Sequence, residues 1–273
     1  VLARSGMALG LAGLFVEGRM LEAKTSLDEL VPELTLRYQP DENVTYFVAY
    51  KEGWKSAGFD NGSIDSTLNA NPIADITYDP ETVEGIEAGV KALLLDGTLN
   101  VEFDIYKYEY EGLQLNFFNS ATFAYRTLNA DETESEGFEL QLQYLPPSID
   151  GLGLTAAIGY NDANYVKFSG PCYAGQKPSE GCTNQVGGLW EQSLNGSKKG
   201  LAPELRYNLG FTYVSDIGNG LELGLVGNVK YSDEYVLRDT IPDAMQGSYH
   251  VFDANVSVAS PEAGWKLSLI GRN

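Results

Sequence analysis

The sequence is short of histidine, cysteine and basic residues, and each shortage removes a class of function. Its 273 residues include one histidine, His250, and two cysteines, Cys172 and Cys182. The cysteines lack the paired CxxC spacing and neighbouring histidines of a zinc site, so no structural metal centre is readable. With a lone histidine there is also no nucleophile–base arrangement of the kind catalysis requires, and the chain reads as a non-enzyme with no cofactor. Eighteen Lys+Arg stand against 38 Asp+Glu, a formal net charge of −20. That excess excludes a broad nucleic-acid surface, which needs clustered cations facing phosphates. No apolar run approaches the roughly 20 residues of a membrane-spanning helix. Helical membrane proteins are thereby excluded, whereas β-barrels are not.

What is present favours strands. Tyr (17) outnumbers Phe (11), Gly reaches 30, and 43% of residues are hydrophobic, too many for a disordered chain. Cys172 and Cys182 share a Gly/Pro/Ser-rich stretch. A short-loop disulfide formed in an oxidising compartment is one reading, and two free thiols in a cytosolic loop are the other. Near the amino terminus, Arg4 followed by the run from Met7 to Val16 imitates a signal peptide. No A-x-A-like cleavage site follows, so a strand or short helix is expected there instead.

The most specific signal is alternation with period two. Leu34, Leu36 and Tyr38 alternate with Thr35 and Arg37; Val44, Tyr46, Val48 and Tyr50 share one parity. Ile86, Ala88, Val90 and Ala92 alternate with Glu87, Gly89 and Lys91, and Leu99, Val101, Phe103 and Ile105 with Asn100, Glu102 and Asp104. The same pattern recurs at 138–144, 205–213, 221–231 and 265–269. It predicts about ten strands, several longer than the roughly 5–6 residues usual in soluble sheets. Tight turns rich in Gly, Pro, Asn and Asp fall at 40–43, 96–97, 146–151, 216–220 and 260–264. Longer connections are expected near 52–80, 117–131, 168–200 and 237–247. Short turns at one end and long loops at the other describe an antiparallel up-and-down meander, the asymmetry of an outer-membrane barrel. Tyr38, Tyr144, Tyr213 and Trp265 lie beside the short turns, where rings form a girdle at a membrane interface. A soluble β-sandwich also alternates, so strand length, loop asymmetry and the girdle together carry the barrel reading. One stretch breaks step: Tyr106, Tyr108 and Tyr110 switch parity, through either a bulge or a lumen-facing row above the membrane.

Several segments resemble TonB-dependent outer-membrane receptors. They are Pro32–Tyr38, Gly53–Phe59, Tyr78–Glu84, Glu87–Lys91, Glu136–Leu140 and the terminal Gly271-Arg272-Asn273. In order, they match the carboxy-terminal half of that family's barrel, over residues 31–273. Residues 1–30 match poorly and receive no role. The resemblance implies an all-β, antiparallel transmembrane barrel: about ten strands of a 22-stranded whole whose plug domain, TonB box and last strand lie outside this sequence. It further implies a receptor in the outer-membrane lipid that binds a scarce solute, most commonly a ferric siderophore, and imports it through the TonB complex engaging the plug. A general diffusion porin and a secreted carbohydrate-binding β-sandwich are the competing readings.

Candidate sites follow from position. Trp54, Lys55 and Phe59, where a strand enters the first long loop, either stack on a solute or anchor that loop. Tyr173, Trp190 and Arg238 are loop candidates for solute contact. Asp131–Glu136 is either a Ca²⁺ cradle of oxygen ligands or a solvated charge run. Glu102, Asp104, Arg206, Asn228 and Lys230 fall on the polar parity and are expected to fill a polar interior.

Overall fold

The computed structural model describes residues 2–4, 20–22, 24–26, 28–59, 77–119, 124–186 and 189–273. Ten strands form one antiparallel sheet: β1 (Glu33–Asp41), β2 (Val44–Lys55), β3 (Glu81–Leu94), β4 (Leu99–Asn119), β5 (Ala124–Tyr144), β6 (Leu152–Lys167), β7 (Leu205–Gly218), β8 (Leu221–Ser232), β9 (Tyr249–Ser260) and β10 (Trp265–Arg272). Each pairs only with its sequence neighbours, so spatial order equals chain order and the sheet is a pure meander. Among the described residues β1 and β10 do not pair with each other, and both edges are open.

Turn chemistry explains the meander. Asp41 Oδ1 accepts from the backbone N–H groups of Asn43 and Val44, closing the β1–β2 turn. Leu95, Asp96 and Gly97 all take positive φ between β3 and β4, a reversal that matches the right-handed twist of the flanking strands. The opposite ends differ. The connection expected at 117–131 is largely absent: β4 and β5 run 21 residues each, and their ladder continues to Asn119↔Ala124. Most of the expected loop is therefore a hairpin projecting beyond its neighbours. The prediction failed because Phe117, Leu128 and Ala130, which fall in the expected loop, pack in a local core.

Register sorts the side chains into two faces. Val44, Ala92, Val101, Leu142, Ala156, Leu209, Val229 and Phe252 oppose one another in succession across eight strands, β2 to β9. The next residues along, Thr45, Lys91, Glu102, Gln141, Ala157, Asn208, Lys230 and Val251, form a mostly polar row on the other face. The apolar face is uncovered: Leu36 is 72% exposed, Leu267 72% and Leu269 78%. The described residues bury a single hydrophobic cluster, Phe117, Ala130, Tyr165, Phe168 and Leu194, and it lies at the long-loop end rather than under the sheet. A sandwich would bury its apolar face against a second sheet. Here only lipid suits that face.

The parity puzzle at Tyr106–Tyr110 is settled without a bulge. Residues 99–111 hold one register against both β3 and β5. The tyrosines therefore lie on the polar face, and Lys107, Glu109 and Glu111 continue the face of Ile105. There they join Glu52, Glu84, Glu132, Glu134 and Glu136 across four strands. The apolar band gives way at this height to an acidic belt, which marks its upper limit.

Candidate functional site

The polar face is a built wall. Tyr106 opposes Gly137, where a Cβ would come within 2.8 Å of the tyrosine oxygen; Tyr108 opposes Gly85, where a Cβ would lie 2.2 Å from the ring. Both rings thus occupy space that only glycine leaves free. Their hydroxyls are committed in opposite directions. Tyr106 Oη donates to Asn161 Oδ1 (3.1 Å), which also accepts from Ser135 Oγ (2.7 Å). Tyr108 Oη donates to Glu87 Oε2 (3.1 Å), which is paired with Lys51 Nζ at 2.8 Å. Lys91 and Glu102 form a further pair at 2.8 Å on the same face. These groups satisfy one another and hold strand register.

A cavity of about 710 Å³ opens on this face, at the long-loop ends of β7, β8 and β9 and over the short-turn halves of β5 and β6, lined in part by Glu139, Arg206, Lys230, Tyr235 and Tyr249. A second, of about 590 Å³, lies against the tyrosine row and includes Asp104, Glu139 and Arg206. Sequence parity placed Glu102, Asp104, Arg206, Asn228 and Lys230 on the polar face, and register puts all five there. Tyr235 and Tyr249 were missed: one lies in a loop hairpin, the other opens a strand, and neither position carries a pattern.

The β6–β7 loop carries an ordered cap. The strand Leu189–Ser193 pairs with Ser169–Pro171 on one side and Asn184–Val186 on the other. Cys172 and Cys182 are joined by a disulfide beside this sheet. Phe117 and Phe168 meet at a ring-centre distance of 5.5 Å, tying the cap to the β4–β5 hairpin. The Gln192 side chain donates to the Thr240 carbonyl (2.8 Å) and accepts from Gln176 (2.7 Å), and Asp239 accepts from the Gly200 N–H. The β6–β7 and β8–β9 loops are locked together by these bonds. Burial within the cap pushes the Glu191 carboxyl upward, partly opposed by the Arg126 guanidinium. A separate clamp holds the β2–β3 connection: Asn129 both donates to and accepts from the Asp79 backbone, and Gln114 Nε2 donates to Ser56 and Asp79 carbonyls.

The loop candidates fall into two groups. Tyr173 and Trp190 share the cap, where Cys172 N–H donates to the Trp190 carbonyl and Trp190 remains 51% exposed. Arg238 is exposed in the β8–β9 loop that Gln192 ties to the cap. Trp54, the last residue but one of β2, lies opposite Thr82 on the face of the acidic belt; Lys55 lies 3.9 Å from Glu81; Phe59 pairs with Thr77 in a two-residue strand. Within Asp131–Glu136, Glu132, Glu134 and Glu136 face outward and Lys107 neutralises part of their charge, at 3.3 Å from Glu134 and 3.7 Å from Glu136. No group of three or more metal-ligating side chains capable of holding an ion occurs among the described residues.

Comparison with known proteins places this arrangement. The family model described as TonB dependent receptor-like, beta-barrel matches residues 15–273. The probable TonB-dependent siderophore receptor PiuA of Acinetobacter baumannii is 26% identical over 229 residues, covering 80% of this chain and 28% of its own length. Among solved structures, the ferric yersiniabactin uptake receptor FyuA from Yersinia pestis superimposes with a TM-score of 0.64 at 15% identity, over 88% of this chain and 31% of that one. The ferric preacinetobactin receptor BauA from Acinetobacter baumannii gives 0.57 at 14% identity, over 84% and 29%. The chain spans less than a third of the length of each, and at these identities the structural likeness speaks to the fold alone.

Proposed function

Because the chain belongs to the TonB-dependent receptor β-barrel family, whose members are non-enzymatic outer-membrane transporters, we propose that the whole protein imports a scarce solute, a ferric siderophore, with energy from the TonB complex. The observation that carries this reading is the pairing of an uncovered apolar face with a polar face that carries a cavity, below loops that a disulfide and interloop hydrogen bonds hold in order. A barrel wall needs the first, and a receptor that selects its solute needs the second. PiuA is named a probable siderophore receptor, FyuA a ferric yersiniabactin uptake receptor and BauA a ferric preacinetobactin receptor, and these names support the choice of cargo. We assign residues 31–273 to the barrel and leave 1–30 without a role. Within the barrel we assign solute contact to the mouth-side loops, through Lys55 and Phe59 on one side and Tyr173, Trp190 and Arg238 on the other, and leave Trp54, on the outward face of β2, out of that contact. Partners are then the lipid, the ferric chelate and, through the plug, TonB. The test is uptake of radiolabelled iron chelates by iron-starved cells carrying or lacking the full-length gene, with and without a functional TonB. Uptake that needs both supports the proposal. Equal uptake without TonB would indicate a diffusion pore instead.

A further inference from the structure

On the lipid side of the sheet, at the long-loop ends of β7, β8 and β9, two tyrosines and a histidine stand in one row. Tyr207 of β7 opposes Tyr231 of β8, which opposes His250 of β9. They share the parity of Leu209, Val229 and Phe252, so they face away from the lumen. The two phenol rings stack at a centre distance of 4.9 Å and an interplanar angle of 20°, and the imidazole centre lies 4.7 Å from the Tyr231 ring. Both hydroxyls end on a base. Tyr207 Oη lies 3.0 Å from His250 Nε2, which accepts from it when the imidazole proton is on Nδ1. Tyr231 Oη donates to the carboxylate of Asp233, just past the end of β8, at 3.2 Å. Both rings are half-buried and His250 is exposed, so small solutes reach all three. Two other tyrosine pairs show what this arrangement adds. Tyr38 and Tyr46 stack less closely, at 6.4 Å. Tyr106 and Tyr108 lie 6.0 Å apart, and the Tyr106 hydroxyl ends on the amide of Asn161, which is no base. The difference matters because a phenol that loses an electron becomes a strong acid, and a hydrogen-bonded base takes its proton as the electron leaves.

We propose that Tyr207 and Tyr231 form an oxidative modification site, which a small one-electron oxidant such as a peroxide-derived radical converts to a covalent dityrosine joining β7 to β8. Each phenol gives one electron to the oxidant and its hydroxyl proton to its own base, Tyr207 to His250 Nε2 and Tyr231 to Asp233. The two phenoxyl radicals, held face to face by strand pairing, form one carbon–carbon bond between ortho positions. The two ortho hydrogens then pass to the phenoxyl oxygens and restore both hydroxyls, while His250 and Asp233 release their protons to solvent. Two equivalents of oxidant are reduced by one electron each, and the product holds two hydrogens fewer than the parent. The link staples the strands at the base of the two tied loops, the side from which external oxidants arrive. It stands whichever solute the receptor imports.

The experiment exposes the full-length receptor in detergent to persulfate and a photo-excited ruthenium complex, a small one-electron oxidant system, and follows dityrosine fluorescence. Trypsin cuts after Arg206, Lys230 and Arg238, so Tyr207 and Tyr231 fall on different peptides. Mass spectrometry should find the 207–230 and 231–238 peptides joined with the loss of two hydrogens, and fragmentation should place the bond between Tyr207 and Tyr231. Tyr207→Phe and Tyr231→Phe should each abolish that product. His250→Gln and Asp233→Asn keep a polar partner but remove the base, and each should slow the link by about tenfold or more. Unchanged heat-modifiable gel mobility in every variant confirms an intact barrel. A linked product that forms first at Tyr38 and Tyr46, or no joined peptide at Tyr207 and Tyr231, overturns the site. Crosslinking at the wild-type rate in both His250→Gln and Asp233→Asn overturns the part assigned to the bases.

Discussion

At the scale of single residues, glycines fix where aromatic rings can lie on the polar face. A Cβ on Gly137 would sit 2.0 Å from the Tyr160 carbonyl oxygen and 2.8 Å from Tyr106 Oη, whereas one on Gly159, in the next strand, meets nothing within 4 Å. The first clash involves backbone and cannot be relieved by a rotamer change. Gly137→Ala should therefore destabilise the full-length barrel by about 1–3 kcal/mol, and Gly159→Ala by much less, in denaturant titrations read by heat-modifiable mobility. Equal costs would show that the tyrosine row yields freely. These constraints were partly legible in the sequence. The parity break at Tyr106 was visible, but its cause was not: a bulge and a height change give the same string of letters, and register against Gly85 and Gly137 separates them. Arg206 and Lys230 were likewise readable as inward-facing, but their proximity depends on how β7 and β8 pair.

At the scale of elements, alternation specified strands well because each one divides lipid from a polar interior, a contrast that period two encodes directly. Connections were harder. Leu113, Leu115 and Phe117 prolong β4 beyond the acidic belt and pack on Phe168 and Leu194 of a distant loop, a partnership that no local pattern reveals. The two faces make opposite predictions. Leu209→Arg places a charge on the lipid side near mid-strand and should cost about 2–4 kcal/mol at the bilayer midplane; Asn208→Arg, on the polar side, should cost far less. Folding titrations of the full-length barrel into lipid vesicles measure both, and similar costs would invert the assignment of faces. In the cap, the Cys172–Cys182 bond closes a segment with a sequence separation of 10. A loop of that size restricts the open chain by about 2–3 kcal/mol. Replacing both cysteines by serine should speed proteolysis between them while leaving barrel mobility on gels unchanged, because Gln192, Asp239 and the Phe117–Phe168 contact still anchor the rest of the cap.

At the scale of the whole sheet, the decisive feature is ten strands of which the first and last find no partner on their outer side among the described residues. Every residue of β1 and of β10 is exposed. In lipid an unsatisfied backbone N–H or C=O costs several kcal/mol, so an open edge is not tolerated there; in water the same edge recruits another edge. Rolling these ten strands into a smaller closed barrel is not a simple remedy, because strand number, tilt and stagger are linked, and the polar-face pairs Lys51–Glu87 and Lys91–Glu102 belong to the present register. Residues 1–273 expressed by themselves should therefore aggregate on refolding into detergent and show no heat-modifiable band. Refolded together with the rest of the receptor as a separate polypeptide, they should acquire one, since paired strands then cover both edges. The check is gel mobility with and without that second polypeptide, alongside light scattering. A monodisperse, heat-modifiable species formed by residues 1–273 unaided would mean that the sheet closes on itself, and the lumen would then be far too narrow for the mouth cavity described above to admit a chelate.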